Sequence, residues 1–326
     1  MKSLSKTPVS LEQAQAIAQT HLRQSLNSFA ELADGYFNAA YRLDLADGST
    51  RVLKVAPLGQ IRVLRYEKNI MQAEVGALRL VRQQTEMPVP QVYIHDTSRA
   101  ILPAEYFIMD FIPGVSFWNL RKDLPESDQQ AIERESGRFL RQMNQIRGQG
   151  FGYFAAAERF PSWPECFDHM LQGVLQDGQD AEIVLPLAYD DLLALARSKY
   201  DCLRSITTPS LVHWDLWDGN IFVDPATRAI TGIIDFERAL WGDPLMEVGF
   251  GAFGDNPHFR AGYGEDLLTV PGASTRKTLY NLYLYLIMVI ECTYRQYETQ
   301  DQETWARAML AAALEKLKNE TEECGG

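Results

Sequence analysis

Four polar residues in the second half of the chain have the types and spacing that phosphoryl transfer requires. His213, Asp215 and Asn220 fall within one predicted loop, and Asp235 follows a β-like run after a short turn. Transfer of a phosphoryl group from a nucleotide needs a carboxylate that orients the attacking hydroxyl and oxygen ligands that hold magnesium on the phosphates. Asp215 and Asn220 can face a common centre, which Asp235 can approach after the turn. The spacing therefore predicts a metal-assisted phosphotransfer site.

The same stretch resembles the signature of a known family. His-Trp-Asp at 213–215 followed by Asn220 resembles the H-x-D-x-x-x-x-N motif of the aminoglycoside phosphotransferase family, and Asp-Phe-Glu at 235–237 resembles its I-D-[FW]-E motif. Trp-Gly-Asp-Pro at 241–244 is similar to the G-D-P segment of that family. The wider group includes choline, homoserine and fructosamine kinases, which share a two-lobed, protein-kinase-like fold. The resemblance therefore implies a small-molecule kinase.

The resemblance also implies roles for individual residues. Asp215 would be the catalytic base, Asn220 and Asp235 would bind Mg²⁺, and His213 would brace the loop. The phosphoryl donor would be ATP, with GTP as the alternative. The acceptor would be a hydroxyl group of a small molecule.

The first half of the chain offers a cation for the nucleotide phosphates. Lys54 is the only lysine inside a β-like run of this half. It resembles the strand lysine of kinases, which pairs with a glutamate of the following helix. Glu74 is the expected partner because it lies in the middle of that helix, and Glu67, two turns earlier, is the alternative. Lys54 and Glu74 are therefore expected in the nucleotide site.

Two further segments are expected to contact the nucleotide. Residues 106–114 resemble the connection between the lobes, where the backbone carbonyl of Asp110 and the backbone N–H of Ile112 would bind adenine. Residues 33–40 would cover the phosphates, although they contain a single glycine. Asn38 in that segment is either a phosphate contact or a turn residue.

Several residues depart from the family pattern. Trp214 replaces the small residue that usually follows the loop histidine, and Trp217 comes later in the same loop. Either ring could fill the core or line the acceptor site, and the sequence leaves both roles open. Glu247 occupies a position at which the G-D-P segment of the family offers aspartate.

Apolar periodicity and turn residues predict the elements that position these groups. Ser10 and Gln13 form a capping box that starts a helix ending near Gln24, and Asp47-Gly48 predicts a hairpin. Further strands are expected at 28–33, 39–45, 50–56, 91–95, 106–111, 221–223 and 230–234. Further helices are expected at 63–83, 127–146, 163–176, 186–206, 274–297 and 303–319.

The order of these elements, with the resemblance, gives the expected fold class. It is α+β, a two-lobed protein-kinase-like fold. A small antiparallel sheet with one long helix forms a nucleotide-binding lobe at 1–110, and a larger, mostly helical lobe with the catalytic loop and the acceptor site spans 111–326. Only a few residues separate the motif at 235–237 from the one at 241–244, which leaves no room for the activation loop of a protein kinase. The predicted function is an ATP-dependent small-molecule kinase, similar to kinases of aminoglycosides or other antibiotics. The alternatives are a metabolic kinase of the choline, homoserine or fructosamine type and a catalytically silent binding module.

Composition restricts the partners. The 326 residues include 31 basic and 43 acidic side chains, a net charge of −12 that opposes nucleic-acid binding. The apolar run at 282–290 is about half the length of a membrane span, so no membrane association is expected. The first residues lack a signal-peptide core, and the four cysteines form no C-x-x-C pair. The expected location is the cytoplasm.

The acidic excess also suggests the charge of the acceptor. It lies in residues 111–326, which carry 19 basic and 32 acidic side chains. A negative surface attracts cations, so a cationic acceptor is expected. The acidic residues in segments expected around the acceptor cleft are Asp177, Asp180, Glu182, Asp190, Asp191, Asp255, Glu265 and Asp266.

Overall fold

The computed structural model describes residues 6–32, 38–59, 61–250, 256–265, 267–296 and 300–320. Most of the segment expected to cover the phosphates, 33–37, lies outside the described residues, as do Asp255, Asp266 and Cys324.

A five-stranded antiparallel sheet forms the first lobe. Its strands are β1 (Leu26–Leu32), β2 (Ala39–Leu45), β3 (Thr50–Val55), β4 (Val92–Asp96) and β5 (Tyr106–Asp110), in the spatial order β1-β2-β3-β5-β4. Buried and more exposed side chains alternate along β2, as expected for a strand with one face in the core. Gly48 adopts φ +83° in the β2–β3 turn, so the predicted Asp47-Gly48 hairpin is confirmed.

One helix packs on each face of this sheet. Helix α1 (Leu11–Ile17) begins at the Ser10–Gln13 capping box, which is confirmed, and continues as a π-helical turn over Ala18–Leu22. Helix α2 (Ile70–Gln84) lies on the opposite face and carries Glu74. The side chains of α2 join the sheet to the second lobe in one continuous core.

The predicted helix over 63–83 is wrong in its first two turns. Arg65–Glu67 forms a single 3-10 turn, and Asn69 has a left-handed backbone, φ 62°, immediately before α2. The cause is long-range packing, because Leu64 and Tyr66 are buried in the core of the helical lobe. We call residues 61–69 the strap, since this part of the chain crosses from the sheet to the helical lobe and returns.

The second lobe is mostly helical. Helix α5 starts at the cap Ser162, whose side chain accepts the N–H of Glu165. The predicted helix over 186–206 is shorter than expected, because the chain turns at Ser198 and buries Cys202 and Leu203 in a separate 3-10 turn. The helices of this lobe are α3 (Phe117–Leu120), α4 (Glu126–Asn144), α5 (Trp163–Asp180), α6 (Tyr189–Arg197), α7 (Pro257–Tyr263), α8 (Ala273–Arg295) and α9 (Asp301–Asn319).

Two small antiparallel sheets complete this lobe and hold the loops of the candidate site. One contains β6 (Val115–Ser116), β9 (Ile221–Val223) and β10 (Ile230–Ile233), in the order β10-β9-β6. The other contains β7 (Gly152–Tyr153), β8 (Ser210–Val212) and β11 (Leu240–Gly242), in the order β7-β11-β8. The predicted α+β arrangement of a sheet lobe and a helical lobe is confirmed.

None of the described helices combines the length and the apolar character that a membrane span requires.

Candidate active site

A hydrogen bond within the loop from β8 to β9 connects its two ends. Asp215 follows β8, and a 3-10 turn over Asp218–Asn220 leads into β9. The Nδ2 of Asn220 donates a hydrogen bond to the backbone carbonyl of Asp215 at 2.8 Å. This bond fixes the two ends of the loop, and it leaves the amide oxygen of Asn220 as the group that could bind a cation.

His213 connects this loop to the segment that bears Asp235. Its Nδ1 accepts the N–H of Asp215 at 3.2 Å, so its Nε2 carries the proton and donates to the carbonyl of Ile234 at 3.0 Å. The ring is fully buried and lies 4.3 Å from the ring centre of Phe236. Burial lowers the pKa of His213 to about 4, so the imidazole is neutral near pH 7. His213 therefore links the loop of Asp215 to the segment that ends at Asp235.

Glu247 holds the backbone of the loop, a role that the sequence did not suggest. Its carboxylate accepts the backbone N–H of His213 and of Trp214, the latter at 3.0 and 3.1 Å. Trp214 has a left-handed backbone, φ 58°, which is uncommon for a bulky residue and is stabilised here by those bonds. Burial raises the pKa of Glu247 to about 7. From the sequence, Glu247 was recognised only as a difference from the aspartate of the family pattern. Its role could not be predicted because no local motif surrounds it.

Lys54 lies at the contact between the lobes. Its Nζ is 2.7 Å from Oε2 of Glu74 and 2.8 Å from Oδ1 of Asp235. Burial opposes the charge of Lys54, but the carboxylates of Asp235 and Glu74 outweigh it and raise the pKa of the amine. Glu67, the alternative partner, binds Arg295 of α8 instead. The structure thus brings Lys54, Glu74 and Asp235 together and leaves Glu67 elsewhere.

Three carboxylates form an oxygen cluster at this contact. One oxygen each from Glu74, Asp235 and Glu237 lies within 4.8 Å of the others. Burial raises the pKa of Glu237 to about 8, and Asn38 donates from Nδ2 to its Oε2 at 2.8 Å. Glu237 is the last residue of the Asp-Phe-Glu motif at 235–237, but the sequence predicted no role for it. Carboxylate oxygens are the donors that magnesium prefers, so the chemistry of this cluster fits that ion.

Asp235 and Asp215 have different local surroundings. Asp235 follows β10 with φ 71°, a left-handed conformation that aspartate tolerates better than most residues. Burial raises the pKa of Asp215 to about 7, although the nearby Arg238 guanidinium opposes the rise. Arg238, which no sequence motif indicates, lies three positions after Asp235.

One protein-family model matches most of the chain. The model of the phosphotransferase enzyme family, APH, matches residues 28–278, which include parts of both lobes and the residues Lys54, Glu74, Asp215, Asn220 and Asp235. The chain belongs to the phosphotransferase enzyme family.

Two curated relatives of this family member are similar to it over part of their length. A probable acyl-CoA dehydrogenase of Arabidopsis thaliana is 23% identical over 227 residues, covering 68% of this chain and 27% of that protein. A probable ketoamine kinase of Vibrio parahaemolyticus is 40% identical over 79 residues, covering 23% of this chain and 25% of that protein. The matches therefore span about a quarter of the length of each relative.

Solved structures resemble the chain over nearly its whole length. A thermostable mutant of aminoglycoside phosphotransferase APH(4)-Ia, in ternary complex with AMP-PNP and hygromycin B, has a TM-score of 0.68 at 19% identity, covering 95% of this chain and 100% of that chain. A putative fructosamine-3-kinase from Thermobifida fusca has a TM-score of 0.65 at 20% identity, covering 92% and 98%. The predicted protein-kinase-like fold is confirmed.

The connection between the lobes of this phosphotransferase-family chain follows β5. The N–H of Asp110 donates to the carbonyl of Gln91, and its carboxylate accepts the N–H of Gln91 and the hydroxyl of Tyr93. The side chain of Ile112 lies over Gly232 of β10, where an added Cβ would come within 2.6 Å of it. Asp110 thus contacts the sheet lobe and Ile112 contacts the helical lobe, and their adenine contacts stay a prediction.

The two loop tryptophans have different surroundings. Trp214 is fully buried and stacks on Tyr283 of α8 with ring centres 5.3 Å apart. Trp217 is partly exposed and lies 5.7 Å from Trp118 of α3, which is 61% exposed. Of the two roles left open by the sequence, Trp214 has the core position and Trp217 has access to solvent beside the loop.

Several of the acids expected around the acceptor are engaged within the chain. Arg65 of the strap pairs with Asp177 and Asp180 of α5, and Arg141 pairs with Glu265. These pairs partly neutralise the acidic surface that the sequence predicted. The other acids of that set within the described residues are exposed, namely Glu182, Asp190 and Asp191.

Proposed function

We propose that the protein is an ATP-dependent kinase that transfers the γ-phosphoryl group to a hydroxyl of a small molecule. The observation that carries this proposal is the meeting of Lys54 with Glu74 and Asp235, next to the braced loop of Asp215. A phosphotransferase needs a cation for the phosphates, oxygen ligands for a metal and a carboxylate for the acceptor, and these groups converge here.

The roles follow from the chemistry of each group. Lys54 binds the phosphates, and Glu74 fixes its amine. Asp215 accepts the proton of the acceptor hydroxyl as its oxygen attacks the γ-phosphorus and the bond to the β-phosphate breaks, releasing ADP. Burial raises the pKa of Asp215 to about 7, which suits a base that works near neutral pH.

Magnesium fits the same site. Asn220 and Asp235 would hold Mg²⁺, and the oxygen of Glu237 is close enough to Asp235 to assist. The ion would neutralise charge on the phosphates when bound.

ATP is the proposed donor, with GTP as the alternative. The similar structure of APH(4)-Ia contains AMP-PNP, which supports an adenine nucleotide in this fold. Adenine would be bound by the backbone carbonyl of Asp110 and the backbone N–H of Ile112, at the proposed boundary between lobes 1–110 and 111–326. The proposed location is the cytoplasm.

The acceptor is proposed to bind beside Trp217. Its partly exposed ring in the loop of Asp215 offers a face on which a sugar or a cationic amine can pack. Hygromycin B in the APH(4)-Ia complex supports a hydroxylated, cationic acceptor. The segment 40% identical to a probable ketoamine kinase supports the metabolic alternative, a sugar amine.

The test is a panel of acceptors assayed for ADP release. Aminoglycosides, amino alcohols and sugar amines are each incubated with the protein, ATP and Mg²⁺, and the phosphorylated product is identified by mass. Asp215→Asn serves as the matched inactive control. We expect acceptor-dependent ADP release by the wild type alone. AMP-PNP binding without product from any class would favour the silent binding module instead.

A further inference from the structure

Four buried charges of alternating sign lie in a row behind the candidate catalytic loop. We call Glu67, Arg295, Glu291 and Arg238 the charge row. Arg295 is 2.5 Å from Oε1 of Glu67 and 3.4 Å from Oε2 of Glu291, and Arg238 is 3.7 Å from the same oxygen of Glu291. The side chains of all four are at most 12% exposed. The row therefore forms one connected electrostatic unit with no net charge.

The row joins three segments that are distant in sequence. Glu67 belongs to the strap, Glu291 and Arg295 belong to α8, and Arg238 belongs to the turn that follows Asp235. The carboxylate of Glu67 also accepts the N–H of Leu64, which fixes the strap at this end. The position of Arg238 thus depends on groups from the strap and from α8.

Arg238 lies where the two catalytic segments meet. Its guanidinium carbon is 5.8 Å from the ring centre of Trp214, the residue before Asp215, and 5.6 Å from the ring centre of Tyr66. The same residue is three positions from Asp235 along the chain. A shift of Arg238 would therefore disturb the surroundings of both acids.

Stability alone is a weak reason for such a row. Removing two ions from water costs free energy that their attraction often only balances, and well-packed apolar residues can often replace buried ion pairs without loss of stability. Removing one member, in contrast, leaves its partner buried without its counter-charge. The row is better explained by the position that it gives to Arg238.

We propose that Glu291 is a positioning residue for phosphoryl transfer. Its carboxylate holds the Arg238 guanidinium against Trp214, at the junction of the Asp215 loop and the Asp235 turn, and Glu67 supports it through Arg295. This inference rests on the proposed function for its catalytic readout, but its structural readout is independent of that function.

The test compares Glu291→Gln, Glu67→Gln and the double variant with Asp168→Asn. Asp168 forms a bidentate pair with Arg197 on the surface of α5, so its variant controls for the loss of an ion pair. The measurements are ADP release with ATP, Mg²⁺ and water as the acceptor, AMP-PNP binding by calorimetry, and a crystal structure of Glu291→Gln. We expect kcat to fall ~10–100-fold in Glu291→Gln, the range for misplaced supporting groups, with AMP-PNP affinity retained.

The pattern among variants separates positioning from structure. Because Glu67 acts through Glu291, the double variant should be no slower than Glu291→Gln. Glu291→Asp, which keeps the charge, should recover part of the rate, and Asp168→Asn should match the wild type. The crystal structure should have Arg238 displaced from Trp214.

Contrary outcomes are equally defined. A folded Glu291→Gln with wild-type kcat, or with Arg238 still over Trp214, overturns the proposal. If Glu291→Gln does not fold, Glu67→Gln takes its place with the same expectations. If no acceptor of the panel, water included, gives faster ADP release with the wild type than with Asp215→Asn, the proposed function fails, and the position of Arg238 in the variant crystal still decides this inference.

Discussion

The Nζ of Lys54 is 2.8 Å from Oδ1 of Asp235, so a strand of the sheet lobe and a turn of the helical lobe are in direct contact. The same amine is 2.7 Å from Glu74, which is fully buried on α2. One ammonium group thus binds two carboxylates from different lobes. A nucleotide with bound magnesium would have to share or replace these contacts.

Asp215→Asn should abolish most turnover and leave nucleotide binding nearly intact. Asparagine keeps the shape of the side chain but cannot accept the proton of the acceptor hydroxyl. General-base contributions are typically ~10²–10⁴-fold in rate, so kcat should fall by that factor. The measurement is kcat beside a calorimetric titration with ATP. Asp224→Asn, in an exposed turn that asparagine can also cap, is the control. A variant that retains kcat, or that fails to bind ATP, would show that Asp215 has another role.

Asp235→Ala should lose turnover because the phosphate charge is no longer neutralised by a held metal. Lys54 would at the same time lose its contact with the helical lobe. The measurement is ADP release over a series of magnesium concentrations. Full activity of Asp235→Ala at ordinary magnesium would contradict the assignment of the metal site.

The charge of the acceptor should appear in the salt dependence of its KM. A cationic acceptor attracted by the acidic lobe should have a KM that rises with ionic strength. The rise should be modest, because Arg65 and Arg141 pair with three of the acids that the sequence assigned to this surface. A KM that does not change with ionic strength would favour a neutral acceptor and would leave the kinase proposal intact.

Trp217→Ala should raise the KM for the acceptor more than it lowers kcat. A ring that packs on a cationic group contributes about 0.5–2 kcal/mol, equivalent to roughly 2–30-fold in KM. Trp217→Phe should recover part of this loss because it keeps an aromatic face. Trp305→Ala, which removes a half-exposed ring from α9, is the matched control. An unchanged KM in Trp217→Ala would show that this ring does not contact the acceptor.

Glu247 should make the protein less stable as the pH rises from about 4.5 to about 7. Burial raises the pKa of Glu247 to about 7 in the folded state, against 4.5 for an ordinary glutamate. The unfolded chain releases this proton first, so unfolding becomes easier across that interval, by roughly 3 kcal/mol at most. Urea unfolding at pH 5 and pH 8 should therefore show a smaller loss for Glu247→Gln than for the wild type. Equal losses would mean that Glu247 is ionised at both pH values.

Local rules explain what the sequence could predict. The Ser10–Gln13 capping box and the Asp47-Gly48 hairpin depend on residues within a few positions of each other, and both form as expected. The five strands of the sheet lobe were likewise found within a few residues of their observed bounds. Short-range hydrogen bonding and side-chain alternation decide these elements, so their patterns are visible in the sequence.

Contacts between distant residues explain what it could not predict. The strap has residues compatible with a helix, but Arg65 binds Asp177, 112 positions away, and Glu67 binds Arg295, 228 positions away. The carboxylate of Glu247 likewise supports a loop that is more than 30 positions distant. Such pairings require three-dimensional proximity, which a single sequence does not encode in any local pattern.

The strap also limits how the molecule can be divided. A chain cut after Asp110 would retain all five strands, yet Leu64 and Tyr66 would lose the apolar neighbours that bury them now. Glu67 would lose Arg295 in the same cut. The fragment from residue 111 onwards would expose to solvent the apolar core residues that Leu64 and Tyr66 of the strap now cover. The two halves, expressed as separate polypeptides, should therefore be insoluble alone and recover solubility only when they are produced together.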